Sequence, residues 1–240
     1  MRLLALGDIH GCATALETLL KALNLRKGDQ LVSLGDYVNK GPDSRATLDR
    51  LIQLFDQELL IPLKGNHELK LLTAGQLQQP QTQGELLLDS HTLKSYGSAR
   101  APGGLEDIPD AHWRFVAQHC RDWLETEQHI FVHATPLADQ PMADQTPQGL
   151  FYEKFNHPPP HVSGKVLICG HTPQRNGLPL NLGHAICLDT AACEGQWLSC
   201  LDVLTGELWQ ANQNRQLRYF PKAPLGNISP VTLTATSPDF

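Results

Sequence analysis

Five short polar blocks, each set directly behind an apolar run, constrain this chain more than any other feature. Gly7-Asp8-Ile9-His10-Gly11 follows the run 3–6, Gly35-Asp36-Tyr37 follows 31–34, and Gly65-Asn66-His67-Glu68 follows 59–63. His133 closes the run 130–132, and Gly170-His171-Thr172 closes 165–169. Short apolar runs bounded by turn residues read as buried strands, so the blocks fall at strand ends. Singly, such residues read as caps or turns; five at successive strand ends are a set. Two Asp, three or four His and one Asn make a mixed oxygen and nitrogen donor set, suited to a pair of hard-to-borderline divalent cations.

A chain of 240 residues can bury a sizeable core, and one domain over 1–240 suits that length better than two. The net charge of −6 gives no electrostatic footprint for nucleic acid or an anionic membrane. No run approaches the roughly 20 apolar residues of a membrane span. The N-terminal apolar stretch stops at Gly7-Asp8, which reads as a first strand and not a signal peptide, so a cytoplasmic protein is expected. The six cysteines form no C-x-x-C pair and are expected to be reduced core residues, with Cys12 packing in a helix. Nothing in the sequence indicates an oligomeric state.

Along the first part, strand and helix alternate. A strand at 2–7 precedes an amphipathic helix near 13–24, with Leu16, Leu19, Leu20 and Leu23 on one face. A strand at 30–35 precedes a helix near 43–56 opened by Pro42-Asp43-Ser44, and a third strand ends at Gly65 before a helix starting near His67. This order implies parallel pairing with right-handed crossovers. In such sheets ligands gather beyond the carboxyl ends of the strands, where all five blocks lie. Residues 74–110 read as a substrate-facing excursion roofing the site. A helix is expected near 110–125, irregular chain at 137–164, and short strands from 165 that form a second sheet packed on the first. The tail after about 221 is expected to be loosely held.

Hydrolysis of a phosphate ester needs water delivered to a charged phosphorus, in line with the leaving group. Two cations about 3.5–4 Å apart supply this chemistry, and one shared carboxylate fixes their spacing. Asp36 is the candidate for that bridge. Asp8 and His10 would complete one ion, and Asn66, His133 and His171 the other. His67 would protonate the departing oxygen, and Lys40 would hold phosphate oxygens.

The ordered motifs Gly-Asp-Ile-His-Gly, Gly-Asp-Tyr-Val-Asn-Lys-Gly-Pro-Asp-Ser and Gly-Asn-His-Glu resemble those of calcineurin-like metallophosphoesterases. Specifically, they resemble the PPP-type serine/threonine phosphatase branch, with its bacterial members and the related symmetrical diadenosine tetraphosphatases. Val-His-Ala-Thr-Pro and Cys-Gly-His-Thr-Pro extend the likeness, which spans roughly residues 2–205. The resemblance implies a four-layer α/β/β/α sandwich with mixed sheets. It also implies two divalent ions, with manganese expected and iron, zinc or nickel as alternatives. Asp8, His10, Asp36, Asn66, His133 and His171 match metal ligands, and His67 matches the catalytic histidine.

Asn39-Lys40 departs from the Asp-Arg usual in the phosphatases. Asn39 can hydrogen-bond His67 without favouring imidazolium by charge, and Lys40 loses the planar guanidinium fork. Arg100 is the candidate replacement guanidinium, with Arg45 and Arg175 behind it. The implied substrates are phosphoserine or phosphothreonine proteins. A symmetrical diadenosine tetraphosphate hydrolase is the enzymatic alternative, and a non-catalytic phospho-ligand-binding protein the alternative of another class. Asp189 reads as a supporting or structural carboxylate, and Glu68 as a first-turn helix residue. His91, His112, His119, His129, His157, His161 and His184 read as surface or packing residues, and Tyr37 and the four tryptophans as core.

Overall fold

A computed structural model describes residues 1–76, 88–98 and 101–223. Arg100, much of the expected excursion and most of the tail lie outside the described residues. The chain forms two mixed sheets. The first holds β1 (Leu3–Leu6), β2 (Gln30–Ser33), β3 (Leu60–Pro62), β9 (Leu198–Asp202), β10 (Leu208–Ala211) and β11 (Leu217–Phe220), in the order β11-β10-β9-β1-β2-β3. The second holds β4 (Trp123–Glu125), β5 (His129–Val132), β6 (Val166–Cys169), β7 (Leu180–Asn181) and β8 (Ala185–Cys187), in the order β4-β5-β6-β8-β7.

Strand periodicity divides the apolar residues among three layers. Leu4, Leu6 and Leu31 face helices α1 (Ala13–Leu23) and α2 (Ser44–Asp56), whose Leu16, Leu19, Leu48 and Leu51 fill the outer core. Ala5 and Val32 point the other way and meet Phe131 and Ile168 between the sheets. Ile130, Val132 and Leu167 face outward again, under Leu150, Phe151 and Phe155. Each fully buried leucine contributes about 1.5–3 kcal/mol. The caps agree with the sequence: Asn24 ends α1 in a left-handed conformation, and the Asp43 side chain accepts from Ala46 N at 2.9 Å to open α2. The other helices are α3 (Asn66–Gln76), α4 (Ser90–Tyr96), α5 (Asp110–Arg114) and α6 (Pro147–Phe151). Among the described residues, no helix is long and apolar enough to cross a membrane.

Two expectations are corrected. The helix expected over 110–125 stops early: α5 passes into a single π turn at Phe115–His119, and Cys120 turns extended. Trp123 and Leu124 then point to opposite faces of β4, one to the outer core and one between the sheets, as a strand and not a helix requires. The late strands also do not all form the second sheet. β9 returns to pair antiparallel with β1, and β10 and β11 extend that first sheet.

β1, β2 and β3 run parallel in one sheet, and β5, β6 and β8 run parallel in the other. Asp8, Asp36 and Asn66 follow the first three, and His133, His171 and Asp189 the second three.

Candidate metal centre

Those six strand ends meet. One carboxylate oxygen of Asp36 lies 3.2 Å from His10 Nε2 and 3.9 Å from His67 Nε2, while the other lies 3.4 Å from His133 Nε2. Two groups of potential ligands result, His10–Asp36–His67 and Asp36–His133–His171, each with its donor atoms within 4.8 Å of one another. Asp36 belongs to both. The Asn66 amide oxygen joins the second group, 3.1 Å from His133 Nε2 and 3.2 Å from His171 Nδ1. Asp8 is buried beside them, its carboxylate accepting from the His171 backbone N–H at 3.1 and 3.2 Å.

Hydrogen bonds fix which histidine nitrogens are free. His10 Nδ1 donates to Val38 O, His133 Nδ1 to Leu34 O, and His171 Nε2 to Tyr152 O, at 3.0, 2.9 and 3.0 Å. In the neutral rings the remaining nitrogens therefore carry lone pairs, and these face oxygens of Asp36 and Asn66. Acceptor faces acceptor, which is stable only with a proton or a cation between them. Burial opposes the proton, pushing His133 down and His171 down to about 4. At His10 burial acts the same way, but Asp36 outweighs it and raises the value.

The carboxylates carry the same signature. Asp8 is raised well above the ordinary value by burial and by Asp189 and Asp36, and Asp189 is raised chiefly by burial. Buried acids short of positive charge need a counter-cation. The Lys40 ammonium stands in as one, 2.9 Å from His10 Nε2. The donor set, its free lone pairs and its uncompensated charge all fit divalent cations.

Local backbone geometry makes the convergence possible. His10, Asp36, Asn39, Lys40 and His171 all have φ between 45° and 70°, a left-handed region costly for non-glycine residues and frequent at functional sites. Gly65 and Gly170 admit the carboxylates: a Cβ at Gly65 would lie 2.1 Å from Asp36 Oδ1, and one at Gly170 2.0 Å from Asp8 Oδ1.

His67 is held by Asn39, whose amide nitrogen lies 2.9 Å from His67 Nδ1. The orientation of that amide is fixed independently, because its oxygen accepts from the Asp89 backbone N–H and the Thr92 hydroxyl, both at 3.0 Å. Asn39 therefore donates, His67 Nδ1 accepts, and the ring proton sits on Nε2, facing Asp36. Burial, the leading cause, takes His67 down to about 3.

The structure also places the other residues singled out in the sequence. Glu68, read as a first-turn helix residue, is fully buried. Its carboxylate accepts from the backbone N–H groups of Asp36, Tyr37 and Gly65 at 2.7, 2.8 and 2.8 Å, clamping the loops after β2 and β3 together. Asp189 ends β8 and is buried against Asp8, its Oδ1 accepting from Ala191 N at 3.1 Å. Arg45 pairs loosely with Asp49 on α2 and Arg175 pairs with Glu194, both at the surface and not in the cluster. His112 is buried and linked to Tyr96 and Asp49 at 2.9 Å each, tying α5 to α4 and α2.

Comparison with known proteins places this geometry. The sequence model of the family described as calcineurin-like phosphoesterase matches residues 1–175. A symmetrical bis(5'-nucleosyl)-tetraphosphatase of Acidovorax sp. (strain JS42) is 49% identical over 75 residues, covering 31% of this chain and 26% of that protein. Another, from Janthinobacterium sp. (strain Marseille), is 35% identical over 135 residues, covering 55% of this chain and 43% of that protein. The chain thus matches less than half the length of these curated relatives. A crystal structure of a candidate diadenosine tetraphosphatase superposes with a TM-score of 0.61 at 24% identity, over 83% of this chain and 88% of that one. At that identity the likeness speaks for the fold alone.

Proposed function

The chain belongs to the calcineurin-like phosphoesterase family, and on that premise we propose that it is a metal-dependent hydrolase of dinucleoside polyphosphates, cleaving diadenosine tetraphosphate symmetrically to ADP. Asp8, His10, Asp36, Asn66, His133 and His171 would hold two divalent ions, with manganese the expected species. Bound there, the ions would supply neutralisation of phosphate charge and activation of water. The preference drawn from sequence for phosphoserine and phosphothreonine proteins gives way to this reading.

One observation carries it: Asn39 donates to His67. An aspartate at that position would accept from Nδ1 and favour imidazolium, the form able to protonate a serine or threonine alkoxide. With Asn39 donating, His67 stays neutral and offers Nε2–H as a hydrogen-bond donor to the departing phosphate oxygen. That suffices for a nucleoside diphosphate leaving group, whose terminal phosphate ionises near about pH 6 and needs no proton at neutral pH. It does not suffice for an alkoxide. Lys40 gives the phosphate oxygens a mobile point charge beside His10. The names of the relatives point to the same substrate class.

The test is parallel turnover by the manganese-loaded protein of diadenosine tetraphosphate and a phosphothreonine peptide. The expected result is ADP as the sole nucleotide product, with the peptide at least about 10²-fold slower, the scale of an absent general acid. Comparable rates on both would overturn the reading.

A further inference from the structure

Beside the histidine cluster lies an open groove of about 710 Å³, within the range of about 300–1,000 Å³ usual for small-molecule sites. It starts at Thr135, two residues beyond His133, and its floor is tied to the metal centre. The segment carrying Lys154 is fixed on both sides, through Tyr152 O, which accepts from His171 Nε2 at 3.0 Å, and through Phe155 N, which donates to Thr172 Oγ1 at 2.9 Å. Lys154 lines the groove, is exposed, and has no carboxylate partner among the described residues.

Part of the lining is apolar. Leu137 and Val162 contribute to it at 43% and 63% exposure, in a molecule where few large apolar side chains are left in solvent. Pro158, Pro159 and Pro160 form the remaining edge. Val162 N donates to Ala138 O at 2.6 Å, joining the two walls, and the Gln145 amide spans Leu137 N and Leu137 O at 2.8 and 2.7 Å. A wall stitched in this way loses little freedom when a ligand seats on it. The lining combines one cation, Lys154, with two carboxylates, Asp139 and Glu153, and the apolar Leu137, Val162 and prolines. A nucleotide offers matching groups: a phosphate for Lys154, ribose hydroxyls for the carboxylates and a base for the apolar side chains.

We propose that this groove is a nucleoside subsite, seating the base and ribose of one half of a dinucleoside polyphosphate, with Lys154 holding the phosphate that joins it to the reaction centre. The assignment rests on the hydrolase reading above and adds where the substrate lies.

Val162→Asp and Lys154→Glu test it, since both positions are exposed and tolerate polar side chains. Binding of ADP and of pyrophosphate to the manganese-loaded protein is measured by titration calorimetry, with the KM for diadenosine tetraphosphate alongside. Wild type is expected to prefer ADP over pyrophosphate. Val162→Asp should cut that preference at least tenfold, and Lys154→Glu should weaken ADP at least tenfold and raise KM to match. An ADP preference unmoved by Val162→Asp, or a wild type that binds pyrophosphate as tightly as ADP, overturns the subsite. The two readings separate cleanly. Diadenosine tetraphosphate cut with an unchanged KM in both variants removes the subsite and leaves the hydrolase. A groove-dependent ADP preference without cleavage removes the hydrolase and leaves a nucleotide site.

Discussion

On one side of Asp36, His133 and His171 are each oriented by a main-chain carbonyl, Leu34 O and Tyr152 O, and their free nitrogens meet the Asn66 amide oxygen. On the other side, His10 is oriented by Val38 O, but its neighbours His67 and Lys40 are placed by side chains, through Asn39 and Asp89. The first side is built into the sheet edges. The second hangs on side-chain hydrogen bonds of Asn39, Asp89 and Thr92, which a single substitution can reverse. On the function proposed above, cation binding would be anchored in backbone and substrate selectivity in side chains.

The largest expected effect comes from removing what the two sides share. Asp36→Asn should abolish stoichiometric metal binding, read by elemental analysis, and lower turnover by about 10³-fold or more, the scale of charge stabilisation lost at a reaction centre. Retention of both ions would mean that the sides do not depend on the shared carboxylate.

A smaller effect follows from loosening the clamp beneath both. Glu68→Gln replaces an acceptor-only carboxylate with a group that must present two donors, leaving at least one of three buried N–H groups unpaired. About 1–3 kcal/mol of stability should be lost, seen as a lower melting temperature of the metal-free protein. An unchanged melt would show that these bonds contribute no net stability. Burial, with Asp36 adding to it, raises the Glu68 carboxyl to about 7.

The smallest effect is a pH dependence confined to the backbone-anchored side. His171 titrates near 6.5 when unfolded and is taken down to about 4 in the fold by burial. A depressed histidine means the unfolded chain binds more protons, so its contribution is fully present above pH 6.5 and is lost as pH falls toward 4. Asp8, Asp189 and Glu68 are raised and act in the opposite sense, so the total is uninformative. The difference between wild type and His171→Asn cancels those common contributions. In the metal-free protein, wild type should lose stability relative to the variant between pH 6.5 and 4. A constant difference would place His171 in solvent and not in the cluster.

The same contrast explains what the sequence made legible. The first sheet presents Asp8, Asp36 and Asn66 in contiguous motifs after β1, β2 and β3, and in each sheet a glycine marks the place, Gly65 after β3 and Gly170 after β6, where only hydrogen fits beside a carboxylate. His133 had little local context, yet its place at a strand end brings it beside Asp36. Glu68 does lie in the first turn of α3, as the sequence suggests, but the convergence of three backbone N–H groups on it arises only from tertiary structure. The helix expected at 110–125 failed for a related reason. Trp123 and Leu124 fit either periodicity over so short a stretch, and pairing with β5 decided for strand. The return of β9 to β1 is a topological choice that no local pattern encodes.

The central claim is that Asp36 is common to two cation sites. Anomalous scattering from a manganese-soaked crystal tests it directly. The account predicts two peaks flanking the Asp36 carboxylate, one near His10 and one near Asn66, His133 and His171. A single peak, or two peaks with Asp36 bound to neither or to only one, would contradict it.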